Sequence, residues 1–395
     1  MANNKDKKIL NVPALRFPEF CGEWKEVKLS KVIKVQGGYA FKSELFQQSG
    51  VPIIRISNLP QNVLFVNLND CVYYSEGNYH NFEVHKGDLL IAMSGATTGK
   101  TAIYNNNSIA YLNQRVGCFK VKSDLFYSFL YALVETKSFK NQLNKKLIAG
   151  AQPNISSFDI ESIKVTIPGL IEQQKIAKLI GLLNERIDTQ NKIIEKLETL
   201  IKGIVELAFS HAATSNTLGC HITQISQRNK NGKDLPVLSV SNKYGFVEQS
   251  EQFEDRIIAS DDTSNYKIVS INDFAFNPAR INVGSIARLK DKECGIVSPM
   301  YICFRTSKDI LPEYLELFFK TVTFSSEVGK RLEGSVRLCL SFESLCEIVI
   351  PVISIREQQS LVKMATAFYS KLDVEKGILR SYQSQKQYLL SQMFI

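Results

Sequence analysis

The chain repeats itself at an offset of 185 residues, and such a duplication restricts the possible folds more than any composition does. KGDLLIAMSGATTGKTAIY from Lys86 aligns with INDFAFNPARINVGSIARL from Ile271, so Asp88 meets Asp273, Gly99 meets Gly284 and Ala102 meets Ala287. Cys118-Phe119 then meets Cys303-Phe304, and Leu130 meets Leu315. Upstream, with a one-residue shift, VPIIRISN from Val51 matches LPVLSVSN from Leu235. Downstream, Ile167-Pro168 corresponds to Ile350-Pro351, Glu172-Gln173-Gln174 to Glu357-Gln358-Gln359, Asp188 to Asp373 and Phe209 to Phe394. One shared residue is noise; an ordered series of them is a duplicated unit.

Each half opens on short β-like runs such as VPIIRIS and GDLLIAM, separated by Gly, Asn and Asp turn signals. One helical piece follows, from Leu125 or Leu311, then a short strand, an Ile-Pro stop and a long closing helix. The first closing helix has an apolar seam at alternating steps of four and three: Ile176, Ile180, Leu183, Ile187, Gln190, Ile194, Leu197, Ile201, Ile204 and Ala208. The second has Leu361, Ala365, Phe368, Leu372, Glu375, Leu379, Tyr382, Lys386, Leu389 and Met393 at the same offset. A 3.5-residue seam is buried by supercoiling against a partner helix. Two matched seams in one chain favour pairing within the chain over a homodimer zipper. The polar positions Gln190 and Glu375 are repeat equivalents near the seam centres, so antiparallel packing is expected to set them face to face and fix the register at a cost in stability.

These patterns predict a mixed α/β (α+β) tandem duplication with pseudo-two-fold symmetry. Two globular domains, 24–168 and 211–351, follow an N-terminal tail, 1–23. Two long helices, 169–210 and 352–395, separate the domains as an antiparallel coiled coil. The length of 395 residues suits such a multidomain layout. Hydrophobic content of 44% with 22% charged residues excludes a disordered chain. No run approaches the ~18 apolar residues of a membrane span, and the N-terminus has no apolar signal core. The eight cysteines form no CxxC pair, so reduced, buried thiols in the cytoplasm are the simplest reading. The net charge is +9, of which the closing helices supply zero and +2; the basic excess lies on the globular parts and favours a polyanionic partner. Two heads on a rigid spacer suit a duplex, whose strands are also related by two-fold axes. Halves that diverge in their middles would read a split, asymmetric target.

The residues that carry the repeat also resemble a known family. IPGLIEQQKIAKLIGLLNERID from Ile167, IPVISIREQQSLVKMATAFYSKLD from Ile350, SGATTGKTAIYNNNSIAYLNQ from Ser94, GIVSPMYICF from Gly295 and VPALRFPEFCGEW from Val12 resemble the specificity subunits of type I restriction-modification enzymes. The resemblance implies one target-recognition domain per half and a conserved helical spacer that docks two methyltransferase subunits and sets the gap between half-sites. The complex would methylate adenines in a bipartite site and, with two motor-nuclease subunits, cleave unmodified DNA. It implies no cofactor in this chain, with S-adenosylmethionine, ATP and Mg2+ on the partner subunits.

Three motifs point elsewhere and fail on their details. SGATTGKT from Ser94 has Ser where a phosphate-cradling loop needs its first Gly, and TAIYNNN after it reads as a strand and turn. Gly99 recurs as Gly284 without the lysine, which marks the glycine as a turn requirement. Asn277-Pro278-Ala279-Arg280 resembles the Asn-Pro-Pro-aromatic motif of adenine methyltransferases but lacks the second proline and the aromatic. His80, His85, His211 and His221 complete no metal set and read as surface residues. Arg, Asn and Gln read base edges, whereas Lys, Ser and Thr hold phosphates. Candidate DNA contacts are therefore Lys42, beside Tyr39 and Phe41, with Arg55, Ser94, Thr97, Thr98, Lys100, Asn113, Gln114 and Arg115 in the first half. In the second half they are Asn242, Lys243, Asn277, Arg280, Asn282, Ser285 and Ser298. The sequence leaves two alternatives: a coiled-coil scaffold with two protein-binding heads, and a self-contained methyltransferase or nuclease, for which no cofactor or catalytic motif is evident.

Overall fold

The computed structural model describes residues 11–59, 64–148, 154–210, 214–249, 263–334 and 337–395. Two compact units divide the chain: residues 1–193 with 376–395, and residues 194–375. In the first unit, one sheet has the order β2 (Ile33–Gly37), β9 (Val116–Val121), β6 (Leu89–Ala92), β7 (Thr101–Ile103). A second has the order β4 (Val72–Tyr74), β3 (Val51–Ile54), β8 (Ala110–Leu112), β5 (Glu83–Val84), and β1 (Lys25–Lys28) pairs with β10 (Lys164–Ile167).

The second unit repeats this order with every strand number raised by ten. Its sheets run β12 (Ile222–Ile225), β19 (Ile302–Thr306), β16 (Phe274–Phe276), β17 (Ile286–Arg288), and β14 (Gly245–Glu248), β13 (Val237–Ser241), β18 (Cys294–Val297), β15 (Lys267–Ser270). Here β11 (Ser215–Thr217) pairs with β20 (Val349–Pro351). Among the named strands, the same step in each unit, β3 with β8 and β13 with β18, is parallel. The chain is thus a tandem duplication of one mixed α/β unit.

Helix α1 (Leu29–Val32) leads into β2. The single helical piece expected in each half is instead two helices: α2 (Tyr127–Leu133) and α3 (Lys137–Ile148) in the first unit, α6 (Pro312–Phe318) and α7 (Val322–Lys330) in the second. A threonine makes the break. Thr136 Oγ1 donates to the Leu133 carbonyl and accepts from the Phe139 N–H, while Thr321 does the same with Phe318 and Phe324. A hydroxyl that closes one helix and caps the next stops the first from continuing. A short helix, α4 (Ser157–Glu161) or α8 (Phe342–Cys346), precedes the last strand of each half.

The closing helices are α5 (Leu170–Ser210), 41 residues, and α9 (Ile355–Gln392), 38 residues. Every seam position is buried or half-buried: Ile176, Ile180, Leu183, Gln190, Ile194 and Ile201 are buried on α5, and Leu361, Ala365, Leu372 and Glu375 on α9. Ile187, Leu197, Phe368, Leu379, Tyr382 and Leu389 are half-buried. Toward the C-terminus of α5 the buried line drifts off the 3.5-residue step to Val205 and Phe209, and at the end of α9 Leu390 is buried with the seam residue Met393 and with Phe394, both just beyond the helix. A nearly straight 3.6-residue helix drifts this way against a heptad pattern. In the first unit Ile176 and Ile180, near the start of α5, share a core with Leu390 and Met393, near the end of α9. In the second unit Ile201 and Val205, late in α5, line one cavity with Tyr369 and Leu372, early in α9. The helices run antiparallel in each unit.

The Glu-Gln-Gln repeat locks helix to domain. The Gln173 side chain accepts from the Phe126 N–H (2.7 Å) and donates to the Asp124 and Pro168 carbonyls (3.0 and 2.8 Å). Gln358 repeats all three bonds with Leu311, Asp309 and Ile353 (2.8, 2.9 and 2.9 Å). Both amides are fully buried, so each must be satisfied, and together they tie the start of each long helix to the loop before α2 or α6.

Two expectations from the sequence need correction. Only Cys118 and Cys303 of the eight free cysteines are buried, where burial pushes both thiols up to about 12; Cys21 and Cys220 are exposed and four are intermediate. Cysteine count and spacing carry no information on exposure. His221 is buried, not at the surface, and its Nδ1 meets Asp309 Oδ2 at 2.5 Å. His80 and His85 are exposed and both approach Glu83, at 2.7 and 3.4 Å. His211 lies outside the described residues. Among the described residues, no helix is long and apolar enough to cross a membrane.

Candidate nucleic-acid interface

Parallel pairing of β3 with β8 brings the chain after both strands to one sheet edge, and the antiparallel partners add two more loops there. Backbone bonds stitch the four together. The Asn113 N–H donates to the Ile54 carbonyl (3.1 Å), and the Met93 N–H donates to the Arg115 carbonyl (2.9 Å). Tyr39 donates to Leu112 (2.8 Å) and accepts from the Gln114 N–H (2.9 Å). Gly38 permits this last approach: a Cβ there would lie 2.1 Å from the Asn113 carbonyl oxygen. Arg55, Ser94, Thr97, Asn113, Gln114 and Arg115 are therefore gathered in one cluster, with Gln114 and Arg115 exposed.

Two polar atoms in this cluster stand out. Arg55 Nε and Ser94 Oγ are buried without a hydrogen-bond partner. An unsatisfied buried donor costs roughly 1–3 kcal/mol, and each instance in a native fold requires a reason. Arg55 is otherwise held by its own turn: Asn58 Oδ1 accepts from its N–H, and Nη2 donates to the Asp70 carbonyl at 3.2 Å. Asn58 and Asp70 were not picked out from the sequence. Lys42 lies beyond the cluster on an exposed turn, next to the Tyr39–Phe41 ring pair.

The 93–100 loop leaves the cluster through a 3-10 turn at Gly95–Thr97 and runs into β7. Gly99 has φ +84° and its repeat Gly284 φ +88°, a left-handed conformation that favours glycine. The stretch SGATTGKT thus precedes a strand and not the helix that a phosphate-cradling loop requires. Thr98 and Lys100 line a cleft beside α3, and the Thr98 hydroxyl donates back to the Gly95 carbonyl (2.6 Å).

In the second unit the equivalent edge is built from the β13–β14 turn, the 277–285 loop and the turn after β18. Ser285 Oγ donates to the Val240 carbonyl (3.1 Å), and the Asn277 side chain accepts from the Ala279 N–H (3.1 Å). Both residues are buried, so their side chains shape the loop itself. Asn242, Lys243, Arg280 and Asn282 are exposed and Ser298 is half-buried at the equivalent of Asn113. Arg, Asn and Lys displayed on a stitched edge are suited to base edges and phosphates.

Comparison with known proteins fits this arrangement. The family model described as the type I restriction modification DNA specificity domain matches residues 22–199. The type I restriction enzyme MjaVIII specificity subunit of Methanocaldococcus jannaschii is 30% identical over 194 residues, 47% of this chain and 45% of that subunit. The EcoBI specificity subunit of Escherichia coli is 21% identical over 397 residues, 90% of this chain and 81% of that one. The crystal structure of the type I restriction-modification S subunit from M. genitalium covers 97% of this chain and 99% of that chain, with a TM-score of 0.60 and 17% identity, a likeness of fold. Residues 22–199 match the type I DNA specificity domain, and over 90% of its length the chain is similar to a type I restriction enzyme specificity subunit. The matched segment 22–199 holds the whole first loop cluster and most of α5, and the chain spans 45% of the MjaVIII subunit's length in that alignment.

Proposed function

We propose that this chain is the DNA-reading, non-catalytic subunit of a type I complex. Each loop cluster reads one part of a split, asymmetric duplex site. Two methyltransferase subunits then methylate adenines there, and two motor-nuclease subunits cleave unmodified DNA. S-adenosylmethionine, ATP and Mg2+ belong to those partners, and the cytoplasm is where this chain would meet DNA. The reading rests on one observation: the two units share a ten-strand frame but display unlike side chains at its equivalent edges. A duplicated frame with divergent loops is suited to two different short sequences. Base contacts are assigned to Arg55, Gln114, Arg115, Asn242, Arg280 and Asn282, and phosphate contacts to Lys42, Ser94, Thr97 and Lys243, while Asn113, buried and accepting from the Arg115 N–H, shapes its loop as Asn277 does. On α5, Ile171, Leu182 and Ile193 are exposed at steps of eleven, an apolar line of helical pitch that supports docking of a partner helix.

Mapping methylated adenines in cells with and without the chain tests the reading. The expected result is loss of one bipartite motif from the methylome, with Arg115→Ala relaxing one half of that motif only. An unchanged methylome, or methylation of DNA by the purified chain alone, would overturn it.

A further inference from the structure

Between the 98–101 loop, α3 and the two long helices, the first unit encloses a polar cleft of about 560 Å³. Its lining is rich in amides and cations: Lys100, Lys140, Asn144, Asn184, Gln383 and Gln387. Asn184 is 7% exposed, lines the cleft, and finds no hydrogen-bond partner for its side chain among the described residues. Lys100 and Lys140 make no ion pair among them either, whereas Lys386 is neutralised by Glu135 at 2.5 Å and Asp188 by Lys192 at 2.6 Å. The wall contributed by α3 carries Lys137, Lys140, Lys145 and Lys146 and no carboxylate. Its repeat, α7, carries Glu327, which Lys330 and Arg331 neutralise.

We propose that this cleft holds a stretch of DNA sugar–phosphate backbone beside the bases read by the first loop cluster. The inference rests on the reading of the chain as a DNA binder. Three features favour a phosphodiester. Ammonium groups without an ion pair and amide donors open to the cleft suit phosphate oxygens, which only accept. The cleft also continues directly from the recognition loop, because Ser94 at one end of that loop is in the base-reading cluster and Lys100 at the other end is in the cleft. The basic wall has no counterpart in the second unit, so the clamp is one-sided.

The test is duplex binding by the intact chain, assembled with the partner subunits it needs, between 50 and 200 mM salt. One duplex carries the mapped site and another of equal length does not. Lys140→Gln, at an exposed position, is expected to weaken both duplexes alike, by about three- to tenfold, and to lower the salt slope by about 0.9 for each phosphate that is no longer neutralised. Asn184→Asp, nearly isosteric but bringing a negative charge, is expected to weaken both duplexes without changing the melting temperature. Wild-type binding and slope in both variants, while wild type itself binds salt-dependently, would overturn the clamp and leave the DNA reading standing. If the variants instead released a partner subunit from the assembly, the cleft would be a protein interface and the clamp again overturned. No duplex affinity in the wild type would overturn the DNA reading and the clamp together.

Discussion

The two units are built on one frame and finished differently, and the pattern of difference separates what holds the frame from what acts on its surface. Gln173 and Gln358 make the same three bonds. Asp88 with Lys120 recurs as Asp273 with Arg305, each pair bracing the turn before an equivalent strand. Divergence begins at the ends of the long helices. Glu357 caps its own helix through Ser354, whereas Glu172 is taken by the N-terminal segment, where Arg16 grips it with two bonds of 2.8 Å and Trp24 Nε1 adds a third at 3.3 Å. Trp24 also packs its ring on Phe129 and Phe394. In the second unit the equivalent aromatic, Phe209, packs on Tyr314 and Phe318, both from α6. One unit is closed by an added segment and the other from within.

That contrast predicts the largest effect. Trp24→Ala removes a buried indole, a bond to Glu172 and the packing of two rings, and should cost about 3–5 kcal/mol. The loss should be confined to the first unit. Hydrogen exchange should show protection falling in α2 and at the end of α9, with β12 to β19 unchanged. Equal loss in both units would mean that the tail braces the whole chain and that the contrast is false.

The paired aspartates predict a smaller, graded difference. Asp273 is almost fully buried and takes two bonds from Arg305, at 2.6 and 2.9 Å, besides the Ser270 N–H. Asp88 takes one bond from Lys120, at 2.8 Å, and the His85 N–H. A bidentate guanidinium holds a carboxylate more firmly than a single ammonium. Asp273→Ala is expected to cost about 2 kcal/mol and Asp88→Ala about 1, both discounted because Arg305 and Lys120 remain partly solvated. Denaturant midpoints at unchanged m-value would measure this; the reverse order would show that the repeat pairs do not work alike.

Much of this frame was legible in the sequence. The offset of 185 gave both long helices and their seams, because periodicity is a local property. Strand order was not legible, since it depends on pairings such as Ile53 with Tyr111 that no local pattern encodes. The Thr136 and Thr321 breaks were missed although both residues recur at the repeat offset, which was the available signal. His221 read as a surface residue because its partner Asp309 is 88 positions away. Within the candidate site, residue type located the loops but not the direction of each side chain. Asn277 and Ser285 turn inward, Lys100 faces the cleft, and nothing in the sequence distinguishes them from Arg115.

The smallest effect concerns acid. Glu316 stands at the repeat position of Tyr131. Burial pushes the Glu316 carboxyl up, but the ammonium of Lys290 at 2.5 Å, with Lys320 and Arg288, outweighs it, and the group lies below its ordinary value of 4.5. A carboxylate depressed by folding contributes stability that is complete above its unfolded value and is lost as pH falls through the folded one. The second unit should therefore lose stability below about pH 5. Tyr131, which donates to the Gly87 carbonyl and is pushed up to about 12 by burial, stays neutral throughout that range. Glu316→Gln keeps the shape and removes the titration. Wild-type exchange protection in α6 should fall further than that in α2 between pH 6 and pH 4, and the variant should narrow the gap by about 1 kcal/mol or less. Carboxylates common to both proteins, Asp159 among them, cancel in that comparison. A gap that Glu316→Gln leaves unchanged would show that the cluster around Glu316 is electrostatically inert and that the units differ in acid for another reason.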